Sequence, residues 1–161
     1  MRFLTYIHQG FYDTKILQGC NAMNKIEQIK EAVEQTIRNS IAWAQKKDFN
    51  LLYMTIANDD NYLEIHPEDK VVKGFDEFQK AEGFWKSNDF KAIGYKIEDL
   101  QINISQNQDV AWWYCKLDDI NEWKGQSCSW LNVRWTGVLV KRDNRWQIMQ
   151  MHFSYSEGVR A

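Results

Sequence analysis

The feature that most constrains this chain is the separation of two hydrophobic periods along its length. From Asn24, the residues Ile26, Ile29, Val33, Ile37, Ile41 and Ala44 recur at steps of three and four, ending near Lys46-Lys47. That spacing predicts an amphipathic helix, and the basic pair suits its C-terminus, where the helix macrodipole is negative. The second half reads differently. Ala92 to Ile104, Val110 to Leu117, Ser127 to Val140 and Trp146 to Tyr155 are β-rich runs, separated by polar turns such as Gln106-Asn107-Gln108-Asp109 and Asp143-Asn144. Short turns between successive strands predict an antiparallel meander. Helices segregated from such a sheet define an α+β fold.

Shorter elements join the two halves. Asp48 is a suitable N-cap for a second helix, Phe49 to Ile56. Asn58-Asp59-Asp60 breaks that helix, and Tyr62 to His66 reads as a short strand stopped by Pro67. Gly74 leads into a third helix from Phe75 to about Ser87. Ahead of these, residues 1–22 are interrupted by His8, Gln9, Asp13 and Lys15, so they lack the apolar run of a signal peptide. They read as an N-terminal extension, ordered or not, before a single domain at 23–161.

Composition narrows the function classes. A length of 161 residues suits one domain with a real core. With 20 basic and 22 acidic side chains the net charge is −2, and no basic stripe invites nucleic acid. No apolar run reaches the ~20 residues of a membrane span. Cys20, Cys115 and Cys128 form no metal-ligand pattern, and neither do His8, His66 and His152. No metal and no cofactor motif is expected, and the odd cysteine count suits a reducing, cytoplasmic setting. The outstanding entry is aromatic: 8 Trp, 7 Tyr and 8 Phe must fill a core, line a pocket or build an interface.

A two-residue turn at Asp143-Asn144 sets a register in which Arg142 faces Arg145 and Lys141 faces Trp146. Continued without interruption, it puts Trp130, Asn132, Arg134, Thr136 and Val138 on one face beside Met149, Met151, Phe153 and Tyr155. The other face carries Leu131, Val133, Trp135 and Leu139 beside Trp146, Ile148, Gln150 and His152. Both faces are too apolar for water, and the helices can cover only one. A second copy of the chain on the other face is expected.

The order of elements resembles the nuclear transport factor 2-like cone fold, which includes SnoaL-like polyketide cyclases and ketosteroid isomerases. In sequence it is most similar to the association domain of calcium/calmodulin-dependent protein kinase II and its free-standing bacterial relatives. Asp48-Phe49, Lys73-Gly74-Phe75-Asp76-Glu77-Phe78, Phe84-Trp85-Lys86-Ser87-Asn88, and Arg142 to Ile148 leading to His152-Phe153-Ser154 carry the resemblance, in order over about residues 24–156. It implies three N-terminal helices packed in a strongly bent antiparallel sheet.

The resemblance also assigns faces. The proton-moving carboxylate of ketosteroid isomerases corresponds to His66, just before Pro67, and a ring of the last strand lining the same pocket corresponds to Phe153. Trp112, Tyr114, Trp130, Asn132, Arg134 and Phe153 are then expected on the ligand-facing side, with Tyr62 and Glu64 beside His66. Leu131, Val133, Trp135 and Trp146 are expected on the convex side, as a homodimer interface. His66 reads either as a proton acceptor at neutral pH or as a surface histidine. Arg134 either holds an acidic or carbonyl group of a ligand, with Asn132 beside it, or pairs with Glu64, Asp59 or Asp60, or stands at the rim in contact with water. Ser40 and a residue near Val138 stand where the isomerases carry their oxyanion donors, which argues against ketosteroid isomerisation itself. Two functions follow as expectations. One is binding of a small hydrophobic or aromatic molecule with a polar or acidic group, with cofactor-free proton transfer by His66 and Arg134. The other is a non-catalytic ligand-binding or assembly domain.

Overall fold

The computed structural model describes the backbone of residues 9–156 and the side chains of residues 24–156. Helix α1 (Gln9–Lys46) begins upstream of Asn24, where the periodicity starts, and residues 1–8 lie outside the described residues. Of its predicted stripe Ile29, Val33 and Ile37 are buried against the sheet, whereas in the last turns Ser40 and Trp43 are buried and Ile41 and Ala44 only partly so. Lys47 adopts a left-handed φ of 51°, ending α1. Asp48 then caps α2 (Phe49–Thr55), its carboxylate accepting the Leu51 N–H at 3.0 Å.

Two short strands follow, β1 (Leu63–Ile65) and β2 (Val71–Lys73). Gly74 turns the chain with φ 79°, and a Cβ there would sit 3.3 Å from the Asp60 carbonyl oxygen. The expected third helix is divided into α3 (Phe75–Gln79) and α4 (Glu82–Lys86), with the break at Lys80-Ala81. The long strands are β3 (Phe90–Ile104), β4 (Val110–Trp123), β6 (Trp130–Arg142) and β7 (Arg145–Ser154), with β5 (Gln126–Ser127) paired to β4. They form one strongly curled sheet in the order β2-β1-β7-β6-β4-β3. The meander is antiparallel as expected, but β1 runs parallel to β7, so the sheet is mixed. The helices lie in its concave side, giving the α+β cone.

The β6–β7 hairpin starts in the expected register, Arg142 opposite Arg145 and Leu139 opposite Ile148. Beyond Leu139 the register shifts. Val138 faces Gln150, so Met149 is an extra residue on β7. A second shift lies between β4 and β6, where Leu117 faces Val133 but Asp119 faces Trp130. Leu131 and Asn132 bulge there, Asn132 taking φ 53° and donating its N–H to Asp118 Oδ1 at 2.7 Å.

Each bulge reverses side-chain parity. Met151 and Phe153 therefore share the concave face with Trp135 and Val133, and Trp130 joins them. Trp113, Val133, Trp135 and Trp146 are all buried inside the protomer. The expected convex placement of Val133, Trp135 and Trp146 is thus corrected; of that group only Leu131 is exposed. Close packing explains Gly137: a Cβ there would lie 2.1 Å from the Trp113 ring and 2.3 Å from the Gln150 carbonyl oxygen.

Candidate functional site

A cavity of about 650 Å³ opens between α1, the α3–α4 segment and the curled sheet. Its walls are largely aromatic. On the sheet, Trp135 stacks on Phe153 at 5.6 Å and Phe153 meets Trp130 at 5.1 Å, with Trp113 behind Trp135, edge-on at 5.4 Å. The His66 ring stands edge-on to Trp130 at 5.0 Å, ending this run. Across the cavity, Trp43 and Phe78 both pack on Trp85 at 5.2 Å. Such an enclosure favours a flat, mostly apolar molecule.

Polar groups enter from two walls. On the β1 side, Glu64 is buried, and its carboxylate oxygens are both engaged. Oε2 accepts the Tyr62 hydroxyl at 2.8 Å, and Oε1 lies 2.9 Å from His66 Nε2. Tyr62 is fully buried behind Glu64, and burial with the neighbouring carboxylate pushes its phenol well above the usual range. A carboxylate acceptor requires the proton on Nε2, so in the neutral ring Nδ1 carries the lone pair. Tyr62, Glu64 and His66 thus form a chain that orients an imidazole in the cavity wall.

On the β4 side, the inward positions after Leu117 are Asp119 and Asn121, both lining the cavity. Burial pushes the Asp119 carboxyl up to about 6, and a hydrogen bond from Asn121 offsets part of that rise. Asn121 is buried, with its backbone clamped: its N–H donates to Ser129 Oγ at 2.9 Å and its carbonyl accepts from Cys128 N at 2.9 Å. Its side-chain Oδ1 has no hydrogen-bond partner among the described residues. Ser40 also lines the cavity, but its hydroxyl donates to the Ile37 carbonyl at 2.8 Å. Lys70, Glu77 and Lys80 complete the polar lining.

Four of the residues expected in the site line this cavity: Glu64, His66, Trp130 and Phe153. Tyr62 lies behind Glu64. The other four are displaced by the bulges. Trp112 is 46% exposed, Asn132 and Arg134 are exposed, and Tyr114 is half-buried outside the lining. Arg134 donates from Nη2 to the Tyr155 carbonyl oxygen at 2.9 Å, and Asp59 pairs with Arg142 at 2.8 Å. Arg134 therefore neither faces a ligand in the cavity nor pairs with Glu64 or Asp59. The sequence reading missed Asp119 and Asn121. Their signal was the alternation Trp113, Cys115, Leu117, Asp119, Asn121 along β4, legible once Trp113 is taken as the inward ring.

With fold and site in view, the chain can be set beside known proteins. The SnoaL-like domain matches residues 33–156, and the chain belongs to that family. No curated protein matches it significantly by sequence. Solved structures with the same fold include a nuclear transport factor 2-like superfamily protein from Salmonella enterica, 17% identical, covering 83% of this chain and 96% of that one with a TM-score of 0.69. A candidate calcium/calmodulin-dependent kinase II association domain from Exiguobacterium sibiricum is 7% identical, with coverage of 78% and 91% and a TM-score of 0.61. A candidate ketosteroid isomerase from Shewanella frigidimarina is 21% identical, with coverage of 78% and 97% and a TM-score of 0.58. At these identities the likeness concerns the fold.

Proposed function

We propose that this SnoaL-like protein binds a small, flat, hydrophobic molecule carrying a carbonyl group and moves a proton on it without a cofactor. The observation carrying this reading is that a Glu64-anchored imidazole and a carboxyl held near 6 share one aromatic cavity. Two titratable groups in different environments are what proton relocation needs, one to accept and one to donate. His66 Nδ1 takes the proton from the carbon next to the carbonyl; the C–H electron pair forms a carbon–carbon double bond to the carbonyl carbon, and the C=O π pair moves onto the oxygen. Asp119 in its neutral form donates a hydrogen bond to the developing oxyanion. Return of the proton at another carbon, or attack by the enolate carbon on a second carbonyl, gives an isomerase or a cyclase; loss of a neighbouring hydroxyl gives a dehydratase. The fold relative described as a candidate ketosteroid isomerase makes the first chemistry a natural comparison.

The test is a pH–rate profile on a panel of enolisable aromatic ketones, with Asp119→Asn beside the wild type. The donor role requires the neutral carboxyl, so wild-type turnover falls as pH rises through about 6. Asn is a donor at every pH, so Asp119→Asn keeps turnover and loses that descending limb. Loss of all activity in Asp119→Asn would instead make Asp119 the base. Absence of turnover on the whole panel, with tight ketone binding, would favour a non-catalytic binding protein.

A further inference from the structure

Two lysines from different elements stand at the mouth of the cavity. Lys70 and Lys80 are exposed and yet line it, so their side chains lie where it opens to solvent. The β1–β2 register sets Glu64 opposite Val72 and Ile65 opposite Val71. The next pair is His66 with Lys70, joined by the His66 N–H donating to the Lys70 carbonyl at 3.0 Å. Opposed residues share a face, which puts the Lys70 and His66 β-carbons about 5 Å apart. Lys80 sits at the break between α3 and α4. Among the described residues neither ammonium has a carboxylate partner. The carboxylates around them are engaged elsewhere: Glu77 accepts the Lys73 N–H at 2.8 Å, Glu64 holds Tyr62 and His66, and Glu82 holds Lys86. Inward from the lysines the walls turn aromatic, with Phe78, Trp85 and Trp130. A cationic mouth over an aromatic interior suits an amphiphile that enters ring first and leaves an anionic end at the lysines.

We propose that Lys70 and Lys80 are specificity-determining residues that hold a carboxylate of the substrate, which is therefore an aromatic keto acid. With Lys70 beside His66, that carboxylate stands a few bonds from the carbon that gives up its proton. The keto group rests on the proton-transfer reading above, whereas the carboxylate contact rests on the cavity alone. Because the mouth is open to water, the attraction is screened by salt.

The experiment measures binding of two probes by titration calorimetry: β-benzoylpropionate and its methyl ester, which keeps the ring and the ketone and removes the charge. At about 20 mM salt the wild type binds the carboxylate about tenfold more tightly, and at about 0.5 M salt the preference shrinks to about twofold. Lys70→Met combined with Lys80→Met binds both probes equally, with ester binding unchanged as the check that the cavity still folds. Lys70→Arg combined with Lys80→Arg keeps the charges and retains the preference. Equal binding of the two probes by the wild type overturns the proposal, as does a preference that survives the methionine substitutions or a wild type that binds neither. Deuterium exchange next to the ketone, followed in parallel, separates the two ideas. A carboxylate preference without exchange leaves the lysine contact standing and defeats the proton-transfer reading; exchange into both probes at equal affinity does the reverse.

Discussion

On the β1 wall of the cavity both carboxylate oxygens of Glu64 have a partner, Tyr62 on one and His66 on the other. On the β4 wall, burial holds the Asp119 carboxyl near 6, and the Asn121 side-chain oxygen has no donor among the described residues. The difference is one of function. A satisfied chain fixes the orientation of a ring and stabilises the fold, whereas a carboxyl raised by burial is a cost to the folded protein once it ionises. Substitutions on the two walls should therefore move stability in opposite directions.

The largest expected effect removes the support common to both walls. Gly137→Ala forces a Cβ into the Trp113 ring and the Gln150 carbonyl, between β4 and β7. It should cost about 3 kcal/mol or more, read as a lowered urea midpoint or as failure to fold. Next is Asp119→Asn. The native carboxyl holds its proton more tightly than the unfolded one, about 6 against 3.8, so its contribution to stability is present below pH 4 and lost as pH rises to 6. The variant should be about 3 kcal/mol more stable than wild type at pH 8 and equal to it near pH 3.5. No gain at pH 8 would mean that the β4 wall carries no such cost.

Tyr62→Phe tests the satisfied wall. It strips one donor from a buried carboxylate and should destabilise by about 1–2 kcal/mol in chemical denaturation. A gain in stability would erase the contrast between the walls. Smallest is Arg134→Ala, whose side chain is exposed and donates a hydrogen bond to the Tyr155 carbonyl. Turnover should change by less than about twofold, as for most surface sites; a large loss would return Arg134 to the site.

Much of the fold was legible because helix and strand periods occupy separate stretches: α1's buried stripe, the Asp48 cap and the Asp143-Asn144 turn all stand where the sequence puts them. What failed was parity. The extra residue Met149 has no signature, because a methionine suits a bulge and a strand alike, and Asn132 looks like an ordinary strand position until its φ of 53° is seen. One residue of slip carried Arg134, Asn132, Trp112 and Tyr114 outward and brought Trp113, Val133 and Trp135 in. His66, Glu64, Trp130 and Phe153 still reached the cavity. The first two lie on β1 or next to it, away from the bulges, and the last two sit beyond a bulge that turns them inward.

The claim that most needs testing is that His66 removes a carbon-bound proton in this cavity. Deuterium wash-in to benzylacetone, followed by NMR at pH 6, measures that step alone. Wild type should catalyse exchange next to the carbonyl, and His66→Ala should slow it about a hundredfold or more, with ligand binding unchanged. Equal exchange by the two proteins would contradict the account.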